Sequence, residues 1–204
     1  VGSSAASDVY KRQVVYITTI VMRLLSVLYQ RDFLTYNDAD ACLNWLRQES
    51  NVAWATESFS IFGRRVIAPR RLAWFGDKGL NYRYTGTDHI AKGWPSELMA
   101  LRNRIQAVAA QEFNFLLLNR YADGQQHMGW HRDDEAGCAG NIASLSLGAP
   151  RRFRFESEKS GKREFVDLEH GSLLLFDGRQ RHCLAKTARP VRERINLTFR
   201  LLKL

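Results

Sequence analysis

The sequence predicts an α+β, mainly β fold, a jelly roll preceded by buttressing helices, on three observations. Downstream of residue 112 the chain breaks into short apolar or alternating runs, FNFLLLNRY, NIASLSLG, RRFRFES, REFVDLEHG, SLLLF and RINLTFRLL. Turn chemistry lies between them, with DG at 123–124, SG at 160–161 and DG at 177–178. Many short strands with such turns argue for an antiparallel barrel or jelly roll. Upstream, the apolar spacing is helical instead.

Taken in order, VGSSAASDVYKRQ has no apolar periodicity, and DVYKRQ looks like the conceptual translation of a transposon end used in sequencing libraries. Residues 1–23 are therefore expected to be a non-native leader, VVYITTIVM at 14–22 included, and are set aside. Arg23 follows that stretch directly and no small-residue cleavage site is present, so a secretory signal is disfavoured. Leu24 to Tyr29 reads as a strand, and Asn37 as the N-cap of a helix carrying Leu43, Trp45 and Leu46. Pro95 and Ser96 open a second helix, where Leu98, Leu101, Ile105 and Val108 form a core-facing stripe between Arg102, Arg104 and Gln106. The strands of the jelly roll follow over about residues 113–204.

Composition narrows the class. A chain of 204 residues, 45% hydrophobic and 25% charged, fits one globular domain. No run of 18 uncharged apolar residues marks a membrane span. The net charge of +9 favours a polyanionic partner, nucleic acid being the commonest. Cys42, Cys138 and Cys183 have no CxxC spacing, so neither a disulfide framework nor a thiolate zinc site is indicated, and a reducing cytosol fits.

The stretch HMGWHRDDE at 127–135 interleaves charge with apolar residues. On an extended chain His131 and Asp133 share a face while Arg132 points away. An imidazole and a carboxylate so placed are two legs of the 2-His-1-carboxylate set that binds iron(II), although a His with an Asp nearby is more often a surface pair or a satisfied polar contact. Of the five histidines, His182, just after SLLLF, is the one that antiparallel pairing in a jelly roll brings to a strand some fifty residues earlier. In RINLTFR, Arg194 and Arg200 share one strand face and Ile195, Leu197 and Phe199 the other. Arginines aimed inward need anionic partners, which a chelating 2-oxo dicarboxylic acid supplies. Asn119 and Tyr121, same-faced on LLNRY, add neutral hydrogen bonds.

With PRRLAWFGDKGLNYRYTG at 69–86, LLNRYADGQQHMGWHRDDE at 117–135, IASLSLGAPRRFRF at 142–155, HGSLLLF at 170–176 and KTARPVRERINLTFR at 186–200, the chain resembles the AlkB family of iron(II) and 2-oxoglutarate-dependent dioxygenases. The resemblance spans about residues 24–204 and is to the DNA alkylation repair branch, which holds the human nuclear members and bacterial relatives. It implies iron ligands at His131, Asp133 and His182, and 2-oxoglutarate contacts at Asn119, Tyr121, Arg194 and Arg200. It implies a nucleotide-recognition lid at about 58–86, with Tyr82 and Tyr84 facing a flipped base and Asp134 and Glu135 close to it. Phe62 matches a wedge entering the base stack, and Arg64, Arg65, Arg70 and Arg71 flank the lid. A second basic group, Arg151, Arg152, Arg154, Lys159, Lys162 and Arg163, surrounds one hairpin. One departure stands out: DGRQRHCLAK is several residues shorter before His182 than the family's usual turn, and Ala185 replaces a proline.

What the resemblance implies is oxidative demethylation of 1-methyladenine and 3-methylcytosine in DNA, with 2-oxoglutarate, dioxygen and Fe(II) as cofactors and formaldehyde and succinate as products. A monomer is expected, without a membrane partner, cytoplasmic in a bacterium or nuclear in a eukaryote. Methylated RNA is the alternative substrate. A nucleic-acid-binding module without turnover is the alternative of another class, if the short turn displaces His182.

Overall fold

The computed structural model describes residues 21–24, 27–61, 64–84, 86–157 and 161–203; side chains are described from residue 27 on, except at 59–61, 64 and 65. Its elements are β1 (Val21–Leu24), β2 (Val27–Gln30), α1 (Tyr36–Arg47), β3 (Ala55–Ile61), β4 (Arg64–Gly76), β5 (Asn81–Tyr84), β6 (Thr87–Ile90) and α2 (Ser96–Ala109). They continue with β7 (Phe115–Tyr121), β8 (Met128–His131), β9 (Cys138–Gly148), β10 (Arg151–Glu156), β11 (Arg163–Leu168), β12 (Ser172–Asp177), β13 (His182–Leu184) and β14 (Arg194–Leu202). The protein is mainly β, with a large sheet ordered β1-β2-β12-β9-β14-β7-β4-β3, a small sheet ordered β11-β10-β13-β8, and a separate ribbon β5-β6.

Strand alternation sorts the large sheet's side chains by parity. Leu116 and Leu118 of β7, Leu145 and Leu147 of β9, Leu173 and Leu175 of β12, and Ile195, Leu197 and Phe199 of β14 form one core with Leu43 and Leu46 of α1 and Leu98, Leu101 and Ile105 of α2. The intervening residues Ile142, Leu174 and Phe176 face the small sheet, where they pack with Phe153, Phe155, Val166 and Leu168. Two cores thus lie on the two faces of one sheet, and the polar residues of the inner face are left beside the second. Leu145 is fully buried at the sheet centre. Leu145→Ala is expected to cost about 2–5 kcal/mol in urea denaturation, because the rigid neighbours on β12 and β14 keep the cavity from collapsing.

Three local expectations shift. Helix α1 is capped by Thr35, not Asn37: Thr35 is extended and its hydroxyl accepts from the Asp38 amide at 3.1 Å. Val108, expected in the core stripe, is exposed, while Ala109 packs against the core. The stripe drifts around a helix of 3.6 residues per turn, so by the last turn the inward position has moved one residue on. Leu24 ends β1 and β2 starts at Val27, residues 25 and 26 lying outside the described ones. Of the expected leader, residues 1–20 also lie outside them, and Val21 to Arg23 form β1 with Leu24, antiparallel to β2. Among the described residues, no helix is long and apolar enough to cross a membrane.

Candidate active site

Strands β8 and β13 pair so that His131 and His182 stand directly opposite. Their ring centroids are 4.2 Å apart. Asp133 lies two residues past β8's histidine, where its amide donates to the Gly178 carbonyl at 2.8 Å. A Cβ on Gly178 would come within 2.6 Å of the Asp133 carbonyl oxygen, so only glycine lets the two backbones approach this closely. The DG pair read as a turn signal also seats the carboxylate.

Nε2 of His131 is 3.4 Å from one Asp133 oxygen, and Nε2 of His182 is 3.6 Å from the other. Potential ligand atoms of the three residues all lie within 4.8 Å of one another. Each ring's other nitrogen faces a backbone carbonyl, His131 Nδ1 that of Gly129 at 2.8 Å and His182 Nδ1 that of Gln180 at 2.7 Å. A carbonyl only accepts, so Nδ1 carries a proton in each ring, and Nε2 is the nitrogen turned to the carboxylate and the one a metal would take in place of a proton, the arrangement that orients metal-binding imidazoles. The short turn before His182 therefore leaves it beside Asp133. Phe153 and Phe176 pack their rings on His182 at 5.2 and 4.9 Å.

Arg200 donates from Nη2 to the Asp133 oxygen that faces His182, at 2.8 Å, and its Nη1 is 3.7 Å from Glu135. Burial opposes ionisation of Asp133, but the Arg200 charge and both imidazoles outweigh it and hold the carboxyl well below its usual range. For His131, burial disfavours the charged form, and the bond to Asp133 more than offsets it, raising the pKa.

Arg194 differs in having no acid. Its Nη2 donates to Ser146 Oγ at 2.9 Å and Asn196 Oδ1 at 2.6 Å, and its Nε is buried without a hydrogen-bond partner. No carboxylate among the described residues pairs with it, and burial pushes its pKa down to about 10. Asn119 Oδ1 accepts from Arg70 Nε at 2.6 Å, and the Tyr121 ring lies 5.6 Å from the Arg194 guanidinium.

One pocket is lined by His131, Asp133, His182, Asn119, Tyr121, Arg194 and Arg200, together with Tyr84, Ser144, Asn196 and Thr198. The last three polar residues were missed in the sequence. Asn196 and Thr198 share the parity of Arg194 and Arg200 on β14, which was the available signal; Ser144 is linked to Asn196 by a 2.9 Å hydrogen bond.

The remaining candidates scatter. Tyr84 reaches the pocket, but Tyr82 does not: it is 1% exposed, packed on Phe115 with the Arg200 guanidinium over its ring. Asp134 is exposed and lines a neighbouring cavity with Asp133, Asp177 and Arg200. Phe62 lies outside the described residues. Arg70, expected among surface cations flanking the lid, is 4% exposed and donates to Asn119 and Tyr84, so it serves the site interior. Arg151 leaves the basic hairpin group for the same reason: it is 1% exposed, and its terminal nitrogens donate to the carbonyls of Asp123, Gly124, Gln126 and Ala185, while its Nε is buried without a hydrogen-bond partner.

Two imidazoles and a carboxylate between two β-sheets, beside a buried arginine with no carboxylate partner among the described residues, are the donor set of an iron and oxo-acid oxygenase. The family model of the 2OG-Fe(II) oxygenase superfamily matches residues 26–200, and the chain belongs to that superfamily. It is 40% identical over 178 residues to the mouse (Mus musculus) DNA oxidative demethylase ALKBH2, covering 80% of this chain and 74% of the relative. It is 39% identical to the human (Homo sapiens) DNA oxidative demethylase ALKBH2, covering 69% of this chain and 59% of the relative. The human alpha-ketoglutarate-dependent dioxygenase alkB homolog 3 is 33% identical, with 82% and 63% covered. The chain thus spans between about three fifths and three quarters of these relatives' lengths.

Iron(II), 2-oxoglutarate and dioxygen are the cofactors of this superfamily, and the residues present fit them. Three neutral-nitrogen and carboxylate donors suit iron(II) and leave coordination positions open. The unpaired Arg194, sunk in neutral hydrogen-bonding groups, suits a carboxylate.

Proposed function

We propose that the protein demethylates N-alkylated bases, 1-methyladenine and 3-methylcytosine, in DNA, coupling this to conversion of 2-oxoglutarate to succinate and releasing formaldehyde. The observation that carries the reading is the His131–Asp133–His182 cluster opening onto the pocket that contains the anionless Arg194. The likeness to DNA oxidative demethylases supplies the substrate class.

Bound iron with 2-oxoglutarate supplies the oxidising chemistry. The chain supplies position. His131, Asp133 and His182 would hold the metal, and Arg200 fixes the Asp133 carboxylate by bonding the oxygen that faces His182, while the other oxygen faces His131. Arg194 clamps the distal carboxylate of 2-oxoglutarate, while Asn119 and Tyr121, with Asn196 and Thr198, complete its polar wall. Apolar rings at Phe153 and Phe176 exclude water from the inner side of His182.

A base stacked in a duplex cannot reach this pocket, so the target is single-stranded or flipped, and a lesion that blocks pairing lowers that cost. Residues 58–86 serve as the lid, with Tyr84 at the pocket, Tyr82 supporting it from behind, Asp134 and Glu135 near the base, and Phe62 as a wedge. Phosphate contacts fall to exposed cations of the small sheet such as Arg154, Lys162 and Arg163. Arg163 and Arg181 also cover Trp130, with guanidinium carbons 5.2 and 5.4 Å from the ring centroid. The protein acts as a monomer, in the nucleus of a eukaryote or the cytoplasm of a bacterium.

Formaldehyde release from matched 1-methyladenine DNA and RNA oligonucleotides tests the reading. Turnover on DNA with 2-oxoglutarate consumption in equal amount is expected. Release from RNA alone would transfer the assignment to RNA, and release from neither would leave a binding module.

A further inference from the structure

Ribbon β5–β6 pairs with neither sheet by a ladder of its own. An isolated two-stranded hairpin is marginal in water, so whatever fastens this one decides where Tyr82 and Tyr84 lie. Its buried face carries those two rings and His89, which stands directly across from Tyr82 and is fully buried. Nε2 of His89 is 2.7 Å from Glu57 Oε1 of β3, and Nδ1 is 3.2 Å from the Tyr82 carbonyl. Both partners are acceptors, so the full set of bonds uses a donor on each ring nitrogen. Trp74 of β4 adds an edge-on ring at 4.5 Å and donates to the Ile90 carbonyl at 3.2 Å.

A second fastening runs through Arg70, whose Nη2 donates to Tyr84 Oη at 2.8 Å while its Nε holds Asn119. Glu57 and Arg70 come from the same irregularity. Pairing of β3 with β4 passes from Thr56↔Arg71 to Ser58↔Ile67, leaving Glu57 opposite Ala68, Pro69 and Arg70. Pro69 has no N–H for a ladder, and a bulge re-aims the side chains around it. Here the re-aimed pair is one acid and one base, and both end on the ribbon.

We propose that Glu57 and His89 are positioning residues: their buried bond clasps the β5–β6 ribbon to β3, holds Tyr84 at the iron pocket, and so sets affinity for the target base. The proposal rests on the demethylase reading for its substrate, but the clasp itself does not. Neither residue lines the pocket, so iron and 2-oxoglutarate should bind without regard to them.

Glu57→Gln keeps the shape and removes the charge from a side chain that is 14% exposed, so it should fold. In hydrogen exchange read by mass spectrometry, amides of residues 81–90 should exchange about tenfold faster in E57Q, while those of β7 and β14 keep wild-type protection; tenfold is what losing a charge-assisted bond typically costs. KM for a methylated oligonucleotide should rise by a similar factor, with kcat and KM for 2-oxoglutarate unchanged. The double variant E57Q/H89Q should be no worse than the more damaged single, because both remove one interaction. Unchanged ribbon exchange in E57Q, a parallel rise in KM for 2-oxoglutarate, or multiplying effects in the double variant would each overturn the clasp. Exchange needs no turnover. A wild type inert on every methylated oligonucleotide therefore counts against the demethylase reading, while faster ribbon exchange in E57Q still supports the clasp.

Discussion

Asp133→Ala is expected to abolish iron-dependent turnover and to lower iron(II) affinity by more than the roughly 10- to 100-fold that loss of an outer-shell partner typically costs. The carboxylate is the sole acid among the three clustered donors. It also neutralises Arg200, which is 2% exposed and 2.8 Å away. Removing it leaves a buried guanidinium whose next acid, Glu135, is 3.7 Å off. Metal-free D133A should therefore be less stable by about 3 kcal/mol, since stripping one member from a buried pair costs on that order. Chelated protein in urea titration, and the visible band formed with iron(II) and 2-oxoglutarate without oxygen, measure the two effects separately.

The same pair predicts an acid limit. A carboxyl whose folded pKa is depressed stabilises the protein above its unfolded value, about 3.9, and that stability is lost as pH falls through the folded value. Wild-type metal-free protein should lose stability in this acid range. Asp133→Asn, lacking the titration, should show a flatter profile there. Identical profiles would mean that the bond to Arg200 contributes nothing to folding.

Arg194→Met should act with opposite signs on stability and on cosubstrate use. Arg194 is 2% exposed and, among the described residues, bonds to Ser146 and Asn196 and to no carboxylate, so it is a desolvated cation held by neutral groups. Replacing buried charge by an apolar side chain of similar volume is often neutral or stabilising, by up to about 4 kcal/mol. When the distal carboxylate of 2-oxoglutarate arrives, the same cation becomes half of a buried pair worth about 3–5 kcal/mol to break. R194M should accordingly melt at or above the wild-type temperature while its KM for 2-oxoglutarate rises on the order of 10²- to 10³-fold. A variant that is less stable yet keeps the wild-type KM would make Arg194 a structural residue, and the clamp would have to be sought elsewhere.

Alternation along single strands was legible without coordinates. RINLTFR alternates, so Arg194 and Arg200 had to share a face opposite Ile195, Leu197 and Phe199 whatever the rest of the chain did. HRD likewise puts His131 and Asp133 on one side. The mainly β character followed from strand number and turn chemistry, and the stripe of α2 from its period.

What pairs across space was not legible. Ser144 reaches Asn196 because β9 and β14 are neighbours, and nothing local to either strand says so. Arg70 and Arg151 look like surface cations in sequence, since arginine is rarely buried unless paired. Only the fold shows the acceptors they bond: Asn119 and Tyr84 for the first, four backbone carbonyls for the second.

By itself, then, the sequence determined the period of each element and the chemistry each strand face carries, because backbone geometry imposes alternation residue by residue. Tertiary structure alone decided that Arg200 is engaged by Asp133 while Arg194 is not, and that Tyr82 lies behind Tyr84. Those are matters of which strands become neighbours, and burial then makes every charge's partner count.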